Sequence, residues 1–187
     1  MNKLKIIIGS IRDNRNGELV KNWLVPVVKN NPNFEIEVLD LKDWDLPKFH
    51  SAKPPSMGGY EDPATQQWAK VIEEGDAFII VTPEYNHGYP ASVKDALDHI
   101  YKEWNHKPVA FVGYGGIAGG ARAVEQLRQV AVELQMAPTR TAIHIPMVWE
   151  AFDESGMPKH NMDGQVKTLL EDLLWWSEVL KKGRTMD

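Results

Sequence analysis

Apolar residues arrive along this chain as short, nearly continuous runs separated by longer amphipathic stretches. Lys3–Ile8 is β-branched and stops at Gly9, and Asp76–Thr82 and Pro108–Tyr114 are apolar on both faces, the pattern of strands buried in a parallel sheet. Phe34–Leu39 alternates with glutamates, as a strand with one wetter face does, and Thr139–Ile145 is a weaker fifth run halted by Pro146. Between the strands the apolar period lengthens to three and four residues. Helices are predicted over Gly17–Asn30, Pro63–Glu74, Ala91–Trp104, Gly120–Gln135 and Gln165–Leu180. Pro26 is expected to kink or shorten the first, and Asp62 followed by Pro63 reads as an N-cap and first helical position for the second.

Five strands alternating with five helices predict an α/β flavodoxin-like three-layer sandwich. Its five-stranded parallel sheet takes the order 2-1-3-4-5, with helices on both faces. The length of 187 residues fits one domain over 1–187, with no repeat or linker. Asp43–Asp62, rich in Pro, Ser and Gly, is the longest irregular stretch and reads as a surface connection, with a lid as the alternative.

Composition removes several function classes. There are no cysteines, which excludes thiol catalysis, redox disulfides and thiolate metal sites. The net charge of −5 argues against a nucleic-acid partner. No apolar run has the length of a membrane span, and Met1–Ile8 has no signal-peptide layout, so a cytoplasmic location is expected. The six histidines lack one-turn helical spacing, so no metal site is expected.

In this fold ligands bind outside the carboxyl ends of the strands, where the order reverses. After strand one, Gly9-Ser10-Ile11-Arg12-Asp13-Asn14-Arg15-Asn16-Gly17 leads into a helix, and a helix start with free N–H groups attracts anions. Ser10, Asn16, Arg12 and Arg15 supply neutral and charged donors, and Gly17 lets the backbone approach; the bland alternative is a helix cap with exposed arginines. The Walker lysine is missing, so triphosphate hydrolysis is a poor reading. After strand three, Pro83-Glu84-Tyr85-Asn86-His87-Gly88 offers rigid backbone and an aromatic ring to a flat heterocycle, or simply a rigid turn before the next helix. Glu84 is a candidate base and His87 a candidate proton donor there. After strand four, Gly113, Gly115 and Ala118 match a loose dinucleotide pattern on the wrong strand. Small residues that admit a ring edge explain Gly115 and Gly116 better.

Together the Gly9-Ser10-Ile11-Arg12, Pro83-Glu84-Tyr85-Asn86 and Gly113-Tyr114-Gly115-Gly116 segments resemble the NADPH-dependent FMN reductases, the flavodoxin-like reductases of quinones, azo dyes and chromate. The helix starts Ser92–Asp98 and Gly119–Arg128 are similar as well, and the likeness covers about residues 3–146. The resemblance implies that Ser10, Arg12 and Asn16 or Gly17 hold the FMN phosphate, with Arg15 standing where many relatives have a serine. It implies that Pro83, Glu84, Tyr85 and Asn86 lie along the isoalloxazine, and that Gly115 and Gly116 meet its pyrimidine edge. It further implies NADPH or NADH as donor, a small-molecule electron acceptor, and a homodimer or homotetramer. No side chain is assigned as catalytic, because the flavin carries the redox chemistry. The alternatives are a flavin-dependent electron carrier or redox-sensing protein, and a flavin-free interaction module.

Overall fold

The computed structural model describes residues 1–186. Five parallel strands, β1 (Asn2–Ile8), β2 (Phe34–Asp40), β3 (Ala77–Pro83), β4 (Pro108–Tyr114) and β5 (Ala137–Ile145), pair in the order β2-β1-β3-β4-β5. This is the expected flavodoxin-like arrangement. Helices α1 (Gly17–Lys29) and α5 (Asp163–Arg184) cover one face, and α2 (Pro63–Glu73), α3 (Ala91–Asp98) and α4 (Ala121–Glu133) cover the other. Strands β3 and β4 are buried throughout, which is why their runs are apolar without alternation. At the β2 edge Glu35 and Glu37 alternate outward, and the β5 edge carbonyls of Thr139 and Arg140 accept from the Arg128 guanidinium.

Two helices depart from expectation. Helix α1 is not cut short at Pro26 but continues to Lys29: the proline is exposed, so its missing donor lies on the solvent side, while Trp23, Leu24 and Val28 hold the buried face. Helix α3 stops at Asp98 rather than reaching Trp104, which sits on a separate 3₁₀ turn over Lys102–Trp104. The cause is a pair of buried indoles. Trp68 Nε1 donates to the Ala96 carbonyl (2.8 Å) and Trp104 Nε1 to the Leu97 carbonyl (3.2 Å), acceptors that a longer helix would need for its next turn. Strand β5 begins two residues before the predicted start, and α5 outruns its predicted span at both ends.

The stretch 43–62 is pinned to the α2–α3 side. Asp62 caps α2 through the Thr65 N–H (2.8 Å), Trp44 packs edge-on against Trp68, and the buried His99 ring bridges the Pro47 carbonyl (2.7 Å) and Thr65 Oγ1 (3.0 Å). A cavity of about 460 Å³ lies beneath it, lined by Pro47, Phe49, Tyr60, Thr65 and His99. No helix among the described residues is long and apolar enough to cross a membrane.

Candidate functional site

The loops after β1, β3 and β4 meet at the carboxyl edge of the sheet. Ser10 leaves β1 almost fully buried, and its Oγ lies 2.9 Å from the Tyr85 hydroxyl on the β3 loop. Gly9 N–H continues the β1–β3 pairing into the Val81 carbonyl, Ser92 Oγ donates to the Gly9 carbonyl (2.6 Å), and Glu84 N–H donates to the Tyr114 carbonyl (2.9 Å). Three segments far apart in sequence are thereby fixed around one crevice.

The first loop is shaped for an oxyanion. Among the described residues, the N–H groups of Ser10, Ile11, Arg12, Asn16 and Gly17 donate to no acceptor of the chain. They lead into α1, whose N-terminal end carries the positive end of the helix dipole. Asn16 stands at the N-cap, yet its side chain makes no capping bond and stays uncommitted. Arg12 is exposed, belongs to no ion pair among the described residues, and holds its guanidinium carbon 5.7 Å from the centre of the Tyr85 ring. At the base of the loop Gly17 is packed over Tyr114: a Cβ there would lie 2.7 Å from the tyrosine oxygen. Among the described residues that buried hydroxyl makes no hydrogen bond, and burial pushes its pKa up. Ser10 Oγ is nearby but is engaged with Tyr85. Free donors, a free cation and an orphaned hydroxyl around a close-packed glycine together fit a phosphate group.

Arg15 is placed differently from its expected role. Its Nε donates to Glu18 (3.1 Å), one terminal nitrogen to Asp40 (2.7 Å) and the Ser10 carbonyl, and the other to Glu18 and Asp40. All five guanidinium N–H groups are therefore taken. Burial works against its charge, but the bonds to Asp40 and Glu18 outweigh burial and raise its pKa. The side chain ties the loop to the end of β2 and leaves no donor for a ligand. A lone sequence position next to Arg12 gives no sign of this, because Asp40 lies 25 residues away.

The β3 loop is a tight hairpin. Tyr85 and Gly88 exchange both backbone hydrogen bonds (2.8 and 3.0 Å) around Asn86 and His87, which have φ of 49° and 71°. Both central residues are left-handed, as a type I′ turn requires, and neither is glycine. Such strain persists where surroundings hold it. Arg122 Nη1 lies 2.6 Å from His87 Nε2 and Gln126 Nε2 donates to the His87 carbonyl (2.9 Å), so α4 clamps the hairpin tip. A guanidinium nitrogen can only donate, so Nε2 is the accepting atom of this contact and is occupied by Arg122. Glu84 is likewise occupied: its carboxylate accepts the Arg122 N–H (3.1 Å) and lies 2.6 Å from Arg122 Nε, off the line of a hydrogen bond. It caps α4, whose own N-cap is Gly120, and is not available as a base. Pro83 ends β3 buried, and Asn86 projects exposed from the turn.

The third loop divides its two glycines. Gly115 N–H is used by the Ile145 carbonyl (3.2 Å), whereas Gly116 N–H has no acceptor among the described residues. Sequence reasoning overlooked a fourth wall. Directly after β5, Met147 N–H donates to the Gly116 carbonyl (3.1 Å) and Val148 N–H to the Gly115 carbonyl (3.0 Å), which brings Trp149 against Gly116. The signal was present in the predicted strand order, since the end of β5 must adjoin the end of β4.

The comparisons bear on the family and the fold. The family model for NADPH-dependent FMN reductases matches residues 2–150. An NAD(P)H-dependent FMN reductase of Schizosaccharomyces pombe is 41% identical over 148 residues, covering 77% of this chain and 74% of that protein. Another from Saccharomyces cerevisiae is 34% identical over 145 residues, covering 72% and 75%. In architecture the chain is similar to FerB, a flavoenzyme NAD(P)H:(acceptor) oxidoreductase from Paracoccus denitrificans. The TM-score is 0.76 at 23% identity, over 95% of this chain and 98% of that one. With its sheet order, its three converging loops and these relatives in agreement, the chain belongs to the NADPH-dependent FMN reductase family.

Proposed function

We propose that this protein is an FMN-dependent NAD(P)H oxidoreductase whose acceptor is a small molecule of the quinone, azo, chromate or free-flavin class. The observation that carries the reading is the run of unpartnered N–H groups from Ser10 to Gly17 beside the uncommitted Arg12. Ser10, Arg12, Asn16 and Gly17 hold the phosphate, and Arg15 acts on it only by fixing the loop to Asp40. Bound FMN supplies the hydride relay between the nicotinamide and the acceptor. The chain supplies position: Pro83, Tyr85 and Asn86 wall the ring, Glu84 fixes their hairpin to α4, and the free Gly116 N–H faces the ring edge where negative charge favours a donor. No acid or base is required of a side chain, which agrees with Glu84 and His87 being engaged by Arg122. The whole chain, 1–187, forms this one flavin unit in the cytoplasm, as a homodimer or homotetramer.

The test is a visible spectrum of the protein with added FMN, followed anaerobically by NADPH and, separately, NADH. Flavin bands that bleach within seconds support the reading. Bound flavin that neither nucleotide reduces points to an electron carrier, and failure to bind flavin overturns the reading altogether.

A further inference from the structure

Trp149 is large, apolar and 55% exposed, yet it does not sit on a loose loop. Val148 beside it is 2% exposed and Phe152 three residues later is 7% exposed, so the segment is anchored in the core on both sides. A turn closed by the Glu150 N–H on the Met147 carbonyl (2.8 Å) presents the indole, and the indole Nε1 donates to Glu150 Oε1 (3.2 Å), which restrains its rotation. Met147 holds φ of 45°, a left-handed conformation uncommon for a side chain of its kind, with its N–H bonded to Gly116. The far end of the indole, Cη2, lies 3.8 Å from where a Gly116 Cβ would stand. An exposed aromatic ring is therefore rigidly offered beside the glycine whose free N–H lines the crevice. Ile117, next to Gly116 in sequence, is 88% exposed.

We infer that Trp149 is a specificity-determining residue that contacts planar aromatic acceptors and selects them over compact ions. This rests on the oxidoreductase reading above. An indole face or edge attracts another aromatic ring through dispersion and quadrupole complementarity, and it offers a compact hydrated anion nothing comparable. The proposed phosphate loop follows β1, two strands from β4 and three from β5, so the indole belongs to the ring end of the crevice and not to the anchor that retains the cofactor.

The experiment compares the FMN-loaded parent with Trp149→Ala and Trp149→Phe, using a two-ring quinone and ferricyanide as acceptors. The ratio of kcat/KM for the quinone to that for ferricyanide is expected to fall about tenfold in Trp149→Ala, through KM, and to be largely restored in Trp149→Phe. FMN affinity, read by fluorescence titration, and the anaerobic rate of bleaching by NADPH are measured on all three proteins. An unchanged ratio overturns the inference, as does a loss of FMN affinity that accounts for the whole effect. Failure of the parent itself to bind FMN or be bleached by NADPH condemns the underlying reading instead, so the two failures are distinguishable.

Discussion

Arg15 and Asp40 form a buried ion pair, 2.7 Å between Nη1 and Oδ1, with side chains only 6% and 9% exposed. The pair joins the loop after β1 to the end of β2, and the same guanidinium holds the Ser10 carbonyl. A bidentate guanidinium is suited to this, and a lysine cannot reproduce it. Arg15→Ala leaves Asp40 with only the Lys42 N–H (3.1 Å) and the more distant Lys21 ammonium (3.8 Å), and is expected to cost about 3 kcal/mol of stability. Urea unfolding measures this, and the Arg15→Met/Asp40→Leu double variant should recover much of the loss.

Arg12 presents the opposite case. It has no ion-pair partner among the described residues and faces solvent at the lip of the crevice, so Arg12→Ala should leave the melting temperature nearly unchanged. FMN affinity should fall by about tenfold, the scale of one charge-assisted phosphate contact. Equal affinity in variant and parent by fluorescence titration would remove Arg12 from the phosphate site.

Gly17 and Tyr114 are coupled by contact. A methyl at position 17 lands 2.7 Å from the tyrosine oxygen, and overpacking of this kind costs about 1–3 kcal/mol. Gly17→Ala is expected to lose stability and FMN together, and Gly17→Ala/Tyr114→Phe to regain stability. Tyr114→Phe alone deletes an unpaired buried hydroxyl and should be neutral or stabilising by about 1 kcal/mol. A double-mutant cycle by thermal unfolding checks the coupling.

Glu84 caps α4 and holds Arg122, so its loss should appear in stability and not in proton transfer. Glu84→Ala is expected to cost about 1–2 kcal/mol, the worth of an N-cap. Glu84→Gln should keep most of that stability, and its pH–rate profile should retain every limb seen in the parent. A limb missing only in Glu84→Gln would assign the carboxylate to the chemistry after all.

Lys107, 5% exposed, donates to the last carbonyls of α2, at Ile72 (2.9 Å) and Glu73 (2.8 Å). Burial lowers its pKa from the usual 10.5 to about 8. Below pH 8 the folded and unfolded chains both carry the proton. From pH 8 to 10.5 the unfolded chain binds a proton that the folded one does not, so this residue makes stability rise with pH. The parent's advantage over Lys107→Met should therefore grow across that window by up to about 3 kcal/mol. Chemical unfolding at pH 7.5, 9 and 10.5 reads the difference.

The sequence alone determined the strands, their order and the end of the sheet where the loops gather, because apolar periodicity and the handedness of crossovers leave few other arrangements. It also singled out Ser10, Arg12, Asn16, Gly17, Tyr85 and Gly116, which stand on loops that meet at one edge. What it could not decide is which polar groups remain free for a ligand. Arg12 and Arg15 are alike on paper, yet a partner 25 residues downstream consumes every donor of one and leaves the other open. Glu84 and Gly115 were withdrawn in the same way, by Arg122 on α4 and the Ile145 carbonyl on β5. The end of α3 was settled by two indoles from outside it, and Trp149 was brought to the crevice only by the pairing of β4 with the segment after β5. Local pattern fixes which backbone forms. Hydrogen-bond partners drawn from distant segments fix which side chains are spent, and only packing in three dimensions chooses those partners.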